Sequence, residues 1–419
     1  MEPAPSAGRV FFPLDEELGL LPGSLAPRQH EHLVHLASWM PFGRTVEMLS
    51  CLLGVQVGEE TVRRLTEQAG SQVEAAQTEQ AQEPWPEEAK TEEKPERLVL
   101  SADGAMVPLR GGEWAEVRTV AIGEVQPAAT AQEPQEVHVR KLSYFSRLTD
   151  AETFATLVEV EMRRRKVVSA TSVAAVTDGA DWLQGLVDLH RPDAVRILDF
   201  PHAAEHGAVL LQTLSQAGQS MSADLLSRCL HILKHRGPAP LLRLLSRLPT
   251  ELAEREGVRE HVGYLRKREA LMQYPQFRRD GWPLGSGMVE SANKLVVEAR
   301  LKGAGMHWQR NNVNPMLALR NGICNERWQE TWRTALAHHH CQRQTARTAR
   351  TARALAHVPA LADAEAPSPE QTPAPVSPPL ASPLLPLEPA ATLPGSSRPS
   401  PHHPWKKAPA CSPKVFAKN

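Results

Sequence analysis

Three carboxylates stand where the flanking sequence can present them together. Asp103 follows the apolar run LVLSA, Asp178 follows VVSATSVAAVT, and Glu290 lies in the first turn of a helical stretch after Gly285-Ser286-Gly287. Two acids at the ends of neighbouring strands and a third from a facing helix can hold two divalent cations roughly 4 Å apart, the arrangement used for phosphoryl transfer. Hard oxygen ligands suit Mg2+ or Mn2+ better than ions that prefer His or Cys cages. One ion would activate a water or a 3'-hydroxyl while the other stabilises the leaving oxygen. Any one Asp-Gly pair is ordinary turn chemistry, so the reading rests on the three acids jointly.

Other residues compete for the same roles. Asp199 closes the apolar run VRIL and is followed by Phe200, Pro201 and His202, so it is an alternative second ligand. Asp178 is preferred because its strand should lie beside the one carrying Asp103, which leaves Asp199 and His202 to support the site or to meet a nucleic-acid backbone. Glu298 lies eight residues after Glu290, on roughly the same helix face, and is the alternative to it. Lys294, Arg300 and Lys302 give this region positive charge suited to phosphate; the plain reading is a solvated helix face.

The elements that must position these residues follow from hydrophobic period. Residues 28–70 read as helices, with Leu33, Leu36, Ala37 and Met40 on one stripe and Val46, Leu49 and Leu53 on a second that ends at Gly54. EETVRRLTEQAG then repeats the pattern with Arg63 and Arg64 on its polar side. Helix, glycine turn and arginine-bearing helix resemble a helix-turn-helix, and equally a helical hairpin with a basic face. From residue 97 the period changes. RLVLSADGAMVPL reads as a strand, GEWAEVRTVAIGEV as two strands, and KLSYFSRL as a short one. Residues 151–165 are helical, and two apolar runs flank the helix DWLQGLVDLH, which implies a parallel strand pair. This order is compatible with a ribonuclease-H-like core among other α/β folds. The chain from Ala203 to about Gln276 is helical throughout, MVESANKLVVEARLKGAG is one more helix, and NPMLALRNGICNERWQETWRTAL closes the fold as another.

Composition limits the rest. The chain has 419 residues, 41% of them hydrophobic, and 47 Lys+Arg against 48 Asp+Glu, so any nucleic-acid surface must be local. Cys51, Cys229, Cys324, Cys341 and Cys411 include no CxxC pair, which argues against a disulfide framework or zinc ribbon and for a cytoplasmic location. Neither a signal peptide nor an apolar run of transmembrane length is present, so no membrane partner is expected. Glu74 to Glu96 carries eight glutamates and reads as an acidic linker or frayed helix, while 16 of the 36 prolines fall from Pro359 onward in a tail expected to be disordered. The resulting division is a helical unit over 10–72, a linker over 73–96, an α/β unit over 97–335 with an all-α insertion at about 204–280, and a Pro-rich tail over 355–419.

The strings RVFFPLDEELGLLPG, VLSADGAMVPLRGGEWAEVRTVAIGEV, VTDGADWLQGL, ILDFPHAAEH and WPLGSGMVESANKLVVEARLKGAGMHWQRNNVNPMLALRN resemble the transposases of ISKra-type bacterial insertion sequences, a DDE group related to Mutator-like elements. The likeness runs from about Val10 to about Trp332. It implies a ribonuclease-H-like catalytic core with a helical insertion before the last acid, two Mg2+ or Mn2+ ions, and cutting and joining of element ends. It also implies Asp103, Asp178 and Glu290 as the catalytic triad and Asp199 to His202 as the family's Asp-Phe-x-His element. The partners would be double-stranded DNA of the transposon ends and target, bound by a homodimer or higher assembly at the bacterial nucleoid. In relatives a cysteine-paired segment usually precedes FFPLDEELG, whereas only MEPAPSAGRV precedes it here. The sequence therefore carries a second expectation beside the enzyme, a truncated and non-catalytic DNA-binding remnant. An unrelated two-metal nuclease would share the acids but not the long GSGMVESANK string.

Overall fold

The computed structural model describes residues 25–84, 94–126 and 137–356. Residues 10–24 of the first unit, part of the acidic stretch and the Pro-rich tail past residue 356 lie outside the described residues. The chain opens with helices α1 (Pro27–Trp39), α2 (Phe42–Leu53) and α3 (Glu59–Gln82). Gly54 ends α2 in the left-handed conformation (φ 63°), where its N–H reaches the Ser50 carbonyl. The acidic stretch takes its helical form as far as Gln82, because Val73, Ala76 and Ala81 on α3 are buried.

The α/β part follows in the order β1 (Arg97–Pro108), β2 (Trp114–Val125), β3 (Val139–Arg147), α4 (Ala151–Leu157), α5 (Glu159–Arg164), β4 (Ser172–Thr177), α6 (Asp181–His190) and β5 (Val195–Leu198). GEWAEVRTVAIGEV makes one strand rather than two, since its pairing with β1 runs unbroken from Leu98↔Glu124 to Pro108↔Trp114. The mixed sheet has strand order β3-β2-β1-β4-β5, with β1, β2 and β3 antiparallel and β4 and β5 parallel to β1. Alternation sorts its side chains. Leu98, Leu100, Val173 and Ala175 pack under α4 to α6, while Val99, Ala174, Val176 and Ile197 face the other way.

That second face is covered by a helical block of α7 (Phe200–Gln216), α8 (Leu225–Arg236), α9 (Pro238–Leu245), α10 (Thr250–Ala253), α11 (Glu256–Lys267), a 3₁₀ turn (Glu269–Met272) and α12 (Tyr274–Arg279). The segment expected to be one amphipathic helix is helical without a break from Gly287 to Leu301, but its middle is π-helical, giving α13 (Gly287–Ala292), a π turn (Asn293–Glu298) and α14 (Ala299–Leu301). The closing helix is two, α15 (Arg310–Cys324) and α16 (Trp328–Ala356). The break falls at Glu326 (φ 58°), beside Arg327, whose guanidinium grips buried Glu161 of α5 through two 2.7 Å bonds. Among the described residues no helix is long and apolar enough to cross a membrane, and Cys51, Cys229, Cys324 and Cys341 are free thiols.

Helix α15 finishes the sheet in a way that side-chain period does not reveal. Asn314 and Asn321 of α15 and Asn325 at its C-cap each bond both the N–H and the C=O of alternate residues along the edge, namely Leu148 just past β3, and Ser146 and Tyr144 on it, at 2.8–3.1 Å. Three amides thereby take the place of a sixth strand and satisfy an edge that would otherwise stay open.

Candidate active site

Asp103 lies on β1 with the same alternation as Val99, Ala105 and Val107, so it shares the face on which Ala105 and Val107 pack against Val289, Ala292 and Val296 of α13 and the π turn. The parallel pairing of β1 with β4 ends at Leu100↔Ala175, and Asp103 and Asp178 each lie three residues beyond that couple. β4 ends at Thr177, so Asp178 is the first residue of the turn that leaves the strand beside β1. Glu290 stands exposed on α13, which packs on β1 and β2.

The electrostatics record this convergence. Burial holds the Asp103 carboxyl above its ordinary range, and the negative charges of Asp178 and Glu290 push it the same way. Two donors oppose them: the Gly104 N–H at 2.7 Å from Oδ1 and the Asn293 amide, whose Nδ2 lies 3.1 Å from Oδ2. The alternative Glu298 instead pairs with Lys302 at 3.0 Å. The π turn between Glu290 and Glu298 also breaks the 3.6-residue spacing on which their shared face depends.

The Asp178 turn is built by the helical block. Gly179 has φ 80°, and a side chain there would meet the Arg268 guanidinium, whose nearest atom is 2.5 Å from the Cβ position. Arg268 donates to the Gly179 carbonyl at 2.7 and 3.1 Å, and the Tyr264 hydroxyl donates to the Asp178 carbonyl. Burial pushes the Tyr264 hydroxyl up to about 12, which keeps it a donor. His206 stacks on Tyr264 with ring centres 3.7 Å apart and shares a 2.9 Å hydrogen bond with His261; burial first, then His202 and His261, hold it down to about 4.

Asp199 is 5% exposed, and both of its oxygens are taken: Oδ2 caps α7 by accepting from His202 N–H at 3.0 Å, and Oδ1 accepts from Ser286 N–H at 2.7 Å. It therefore ties the end of β5 to the loop that delivers Glu290. His202 is half-buried, edge-on to His206 and Tyr264 and 3.7 Å from Glu205.

Among the described residues no three His, Cys, Asp or Glu side chains converge tightly enough to hold an ion as they stand. Asp103 Oδ1 accepts from the Gly104 N–H at 2.7 Å, and Asp178 Oδ1 from the Ala180 N–H at 2.8 Å. The donor set fits hard divalent ions, because it consists of carboxylate oxygens and the charges of Asp178 and Glu290 raise the proton affinity of Asp103.

The basic residues divide. Arg300, expected at the surface, is 2% exposed: it donates to the Ala37 carbonyl at 2.9 Å between the rings of Phe42 and Trp308, and burial lowers it to about 10. It braces α1 and cannot reach phosphate. Arg63 is held by Glu60 and Glu67 of its own helix at 2.8 and 2.7 Å. Arg64 and Lys294 are exposed, as is Lys302 beside Glu298. A further basic surface lies on α16, where Arg343, Arg347, Arg350 and Arg353 follow a three- to four-residue spacing along one face, with no acid between Cys341 and Ala356. The ARTARTAR repeat is its signal in the sequence. Tyr264 and Arg268 are unmarked by any motif, since their roles arise from contacts with residues far away in the chain, while Asn293 lies within the GSGMVESANK string but carries no signal of its contact with Asp103. Comparison with protein-family models finds no match for this chain, and no curated protein matches it.

Proposed function

We propose that this chain is a DDE transposase of the ISKra type, a metal-dependent enzyme that cuts DNA at the ends of an insertion sequence and joins them to a target. The observation that carries the reading is that the charges of Asp178, next after the end of β4, and of Glu290 on α13 both act on Asp103 of the neighbouring strand β1. The strand order, with three antiparallel strands followed by two parallel ones and a helical block before Glu290, supports a ribonuclease-H-like core. Two Mg2+ or Mn2+ ions held by Asp103, Asp178 and Glu290 would supply Lewis-acid activation of the attacking oxygen and charge relief at the leaving one. Asp199 holds the Glu290 loop, and Tyr264 with Arg268 holds the Asp178 turn. Duplex DNA would meet Arg64, Lys294 and Lys302 and the arginine face of α16 through its phosphates. The setting would be the bacterial nucleoid, with a homodimer or higher assembly forming on DNA.

The test is nicking of labelled element ends with Mg2+ or Mn2+, run beside a binding assay. Glu290→Gln and Asp103→Asn should each lower cleavage by at least about a thousandfold while leaving DNA affinity within about twofold, because they remove transition-state stabilisation and no phosphate contact. Undiminished nicking by both variants would overturn the assignment of the acids, whereas DNA binding without any nicking by the unaltered chain would leave the non-catalytic DNA-binding remnant as the better reading.

A further inference from the structure

We propose that Asn293 is a fourth oxygen ligand of the cation site, an inference that rests on the assignment of Asp103, Asp178 and Glu290 to that site. Asn293 is 6% exposed. Its Nδ2 donates to Asp103 Oδ2 at 3.1 Å, while its Oδ1 is sealed from solvent and accepts no hydrogen bond. A buried carbonyl oxygen without a donor is destabilising. Rotating the amide by half a turn does not remove the penalty, because it sets the carbonyl against the Asp103 carboxylate. The amide therefore sits among oxygens in excess of donors: its own Oδ1, the two of Asp103, and the charges of Asp178 and Glu290 that act on Asp103. A hard cation relieves such an excess, and an asparagine carbonyl is a good neutral ligand for Mg2+ or Mn2+.

The backbone argues the same way. Asn293 is the first residue of the π turn and follows Glu290 by three positions, which puts the amide and the glutamate on one side of the helix. A π turn is less stable than the α-helix it interrupts and is often found at functional sites. Here it is braced from behind by Arg320, 0% exposed, which donates to the Val296 carbonyl at 3.2 Å, to the Leu295 carbonyl, and to Ser38 of α1 at 3.1 Å. A fully buried guanidinium is thus committed to holding open the turn that aims Asn293 at Asp103.

Isothermal titration of Mn2+ into the full chain without DNA, together with melting curves with and without Mn2+, tests the proposal. Asn293→Ala should weaken Mn2+ binding by at least about tenfold. Asn293→Asp keeps an oxygen in place but sets a second carboxylate against Asp103, so its metal-free melting temperature should fall and its rise on adding Mn2+ should exceed that of the unaltered chain. A residue that only aligns Asp103 would leave Mn2+ affinity within about twofold in Asn293→Ala, and if Asn293→Ala fails to fold, Asn293→Leu, of similar volume and without an oxygen, reads the same affinity. Unchanged Mn2+ affinity in Asn293→Ala, with binding lost in Asp103→Asn, would overturn the role of Asn293 and leave the triad standing. Equal Mn2+ binding by Asp103→Asn and the unaltered chain, or none by either, would overturn both.

Discussion

Asp178 and Asp199 both close apolar strands, and what separates them is which groups occupy their oxygens. Asp199 is saturated by two backbone N–H groups from segments far apart in sequence, whereas Asp178 gives one oxygen to the N–H of its own turn. Asp178→Asn should therefore abolish the Mn2+-induced rise in melting temperature with little change in the metal-free value. Asp199→Asn loses one acceptor of a helix cap and should destabilise the fold by about 1 kcal/mol, yet keep the Mn2+ response. Thermal denaturation with and without Mn2+ reads both, and the reverse pattern would move the ligand role to Asp199. From sequence the two acids are nearly equivalent, because each follows a run of apolar residues. The difference lies in the Ser286 N–H, which reaches Asp199 from 87 residues away.

At the scale of elements, the asparagine ladder of α15 and the π turn beside it set where Glu290 and Asn293 stand. Asn321 is 3% exposed and satisfies both backbone groups of Ser146. Asn321→Ala would leave a buried N–H and C=O without partners and should lower unfolding stability by about 3 kcal/mol. Asn321→Asp, which can accept from Ser146 N–H but cannot donate to its carbonyl, should be similarly harmful. Urea denaturation checks both, and a loss below about 1 kcal/mol for each would show that solvent or a shifted strand replaces the ladder. The helical character of this segment is legible in its apolar spacing. The spacing of Asn314, Asn321 and Asn325 at seven and four residues is also visible in the sequence, but nothing local says that an edge strand waits opposite. The π turn is less legible still, because its register depends on Arg320 holding two of its carbonyls.

Across the whole molecule, the amino-terminal helices share their core with the last two. Leu33, Val34, Leu49, Val62, Leu65 and Val73 pack with Ala318, Leu319 and Trp332, and buried Arg147 of β3 bonds Gln77 of α3 at 2.8 Å. Gly70 of α3 passes so close to α15 that an added Cβ would lie 2.3 Å from the Pro315 carbonyl. Helices joined in this way should unfold together with the sheet, and His30 supplies a probe. It is 7% exposed at the meeting of α1, α3 and α16, where burial first, then His339 and Arg64, hold it down to about 4 from 6.5. Above pH 6.5 the imidazole is neutral in both folded and unfolded chains. As pH falls below 6.5 the unfolded chain takes up the proton first, so stability is lost progressively until about pH 4. Between pH 7 and pH 5 this one group should remove about 2 kcal/mol of global stability. His30→Leu should flatten that part of the pH profile, measured as urea midpoints on the whole chain. Parallel profiles for both proteins would show that α1 to α3 unfold apart from the rest.

Periodicity alone determined that this chain alternates helices and strands, that the period changes at residue 97, and that a parallel pair carries Asp178 and the run before Asp199. These are local matters, since the apolar spacing of a segment reports which of its faces is buried. Tertiary structure decided the rest. The parallel pairing of β1 with β4 brings the strand of Asp103 beside the one that leads to Asp178, the Ser286 N–H bonds Asp199, and Arg300 goes inward to hold α1 instead of outward to phosphate. Each outcome depends on a partner tens to hundreds of residues away. The affinity of an oxygen or a guanidinium for its surroundings is set by what the folded chain brings within about 3 Å of it, which the spacing of its neighbours in sequence does not encode.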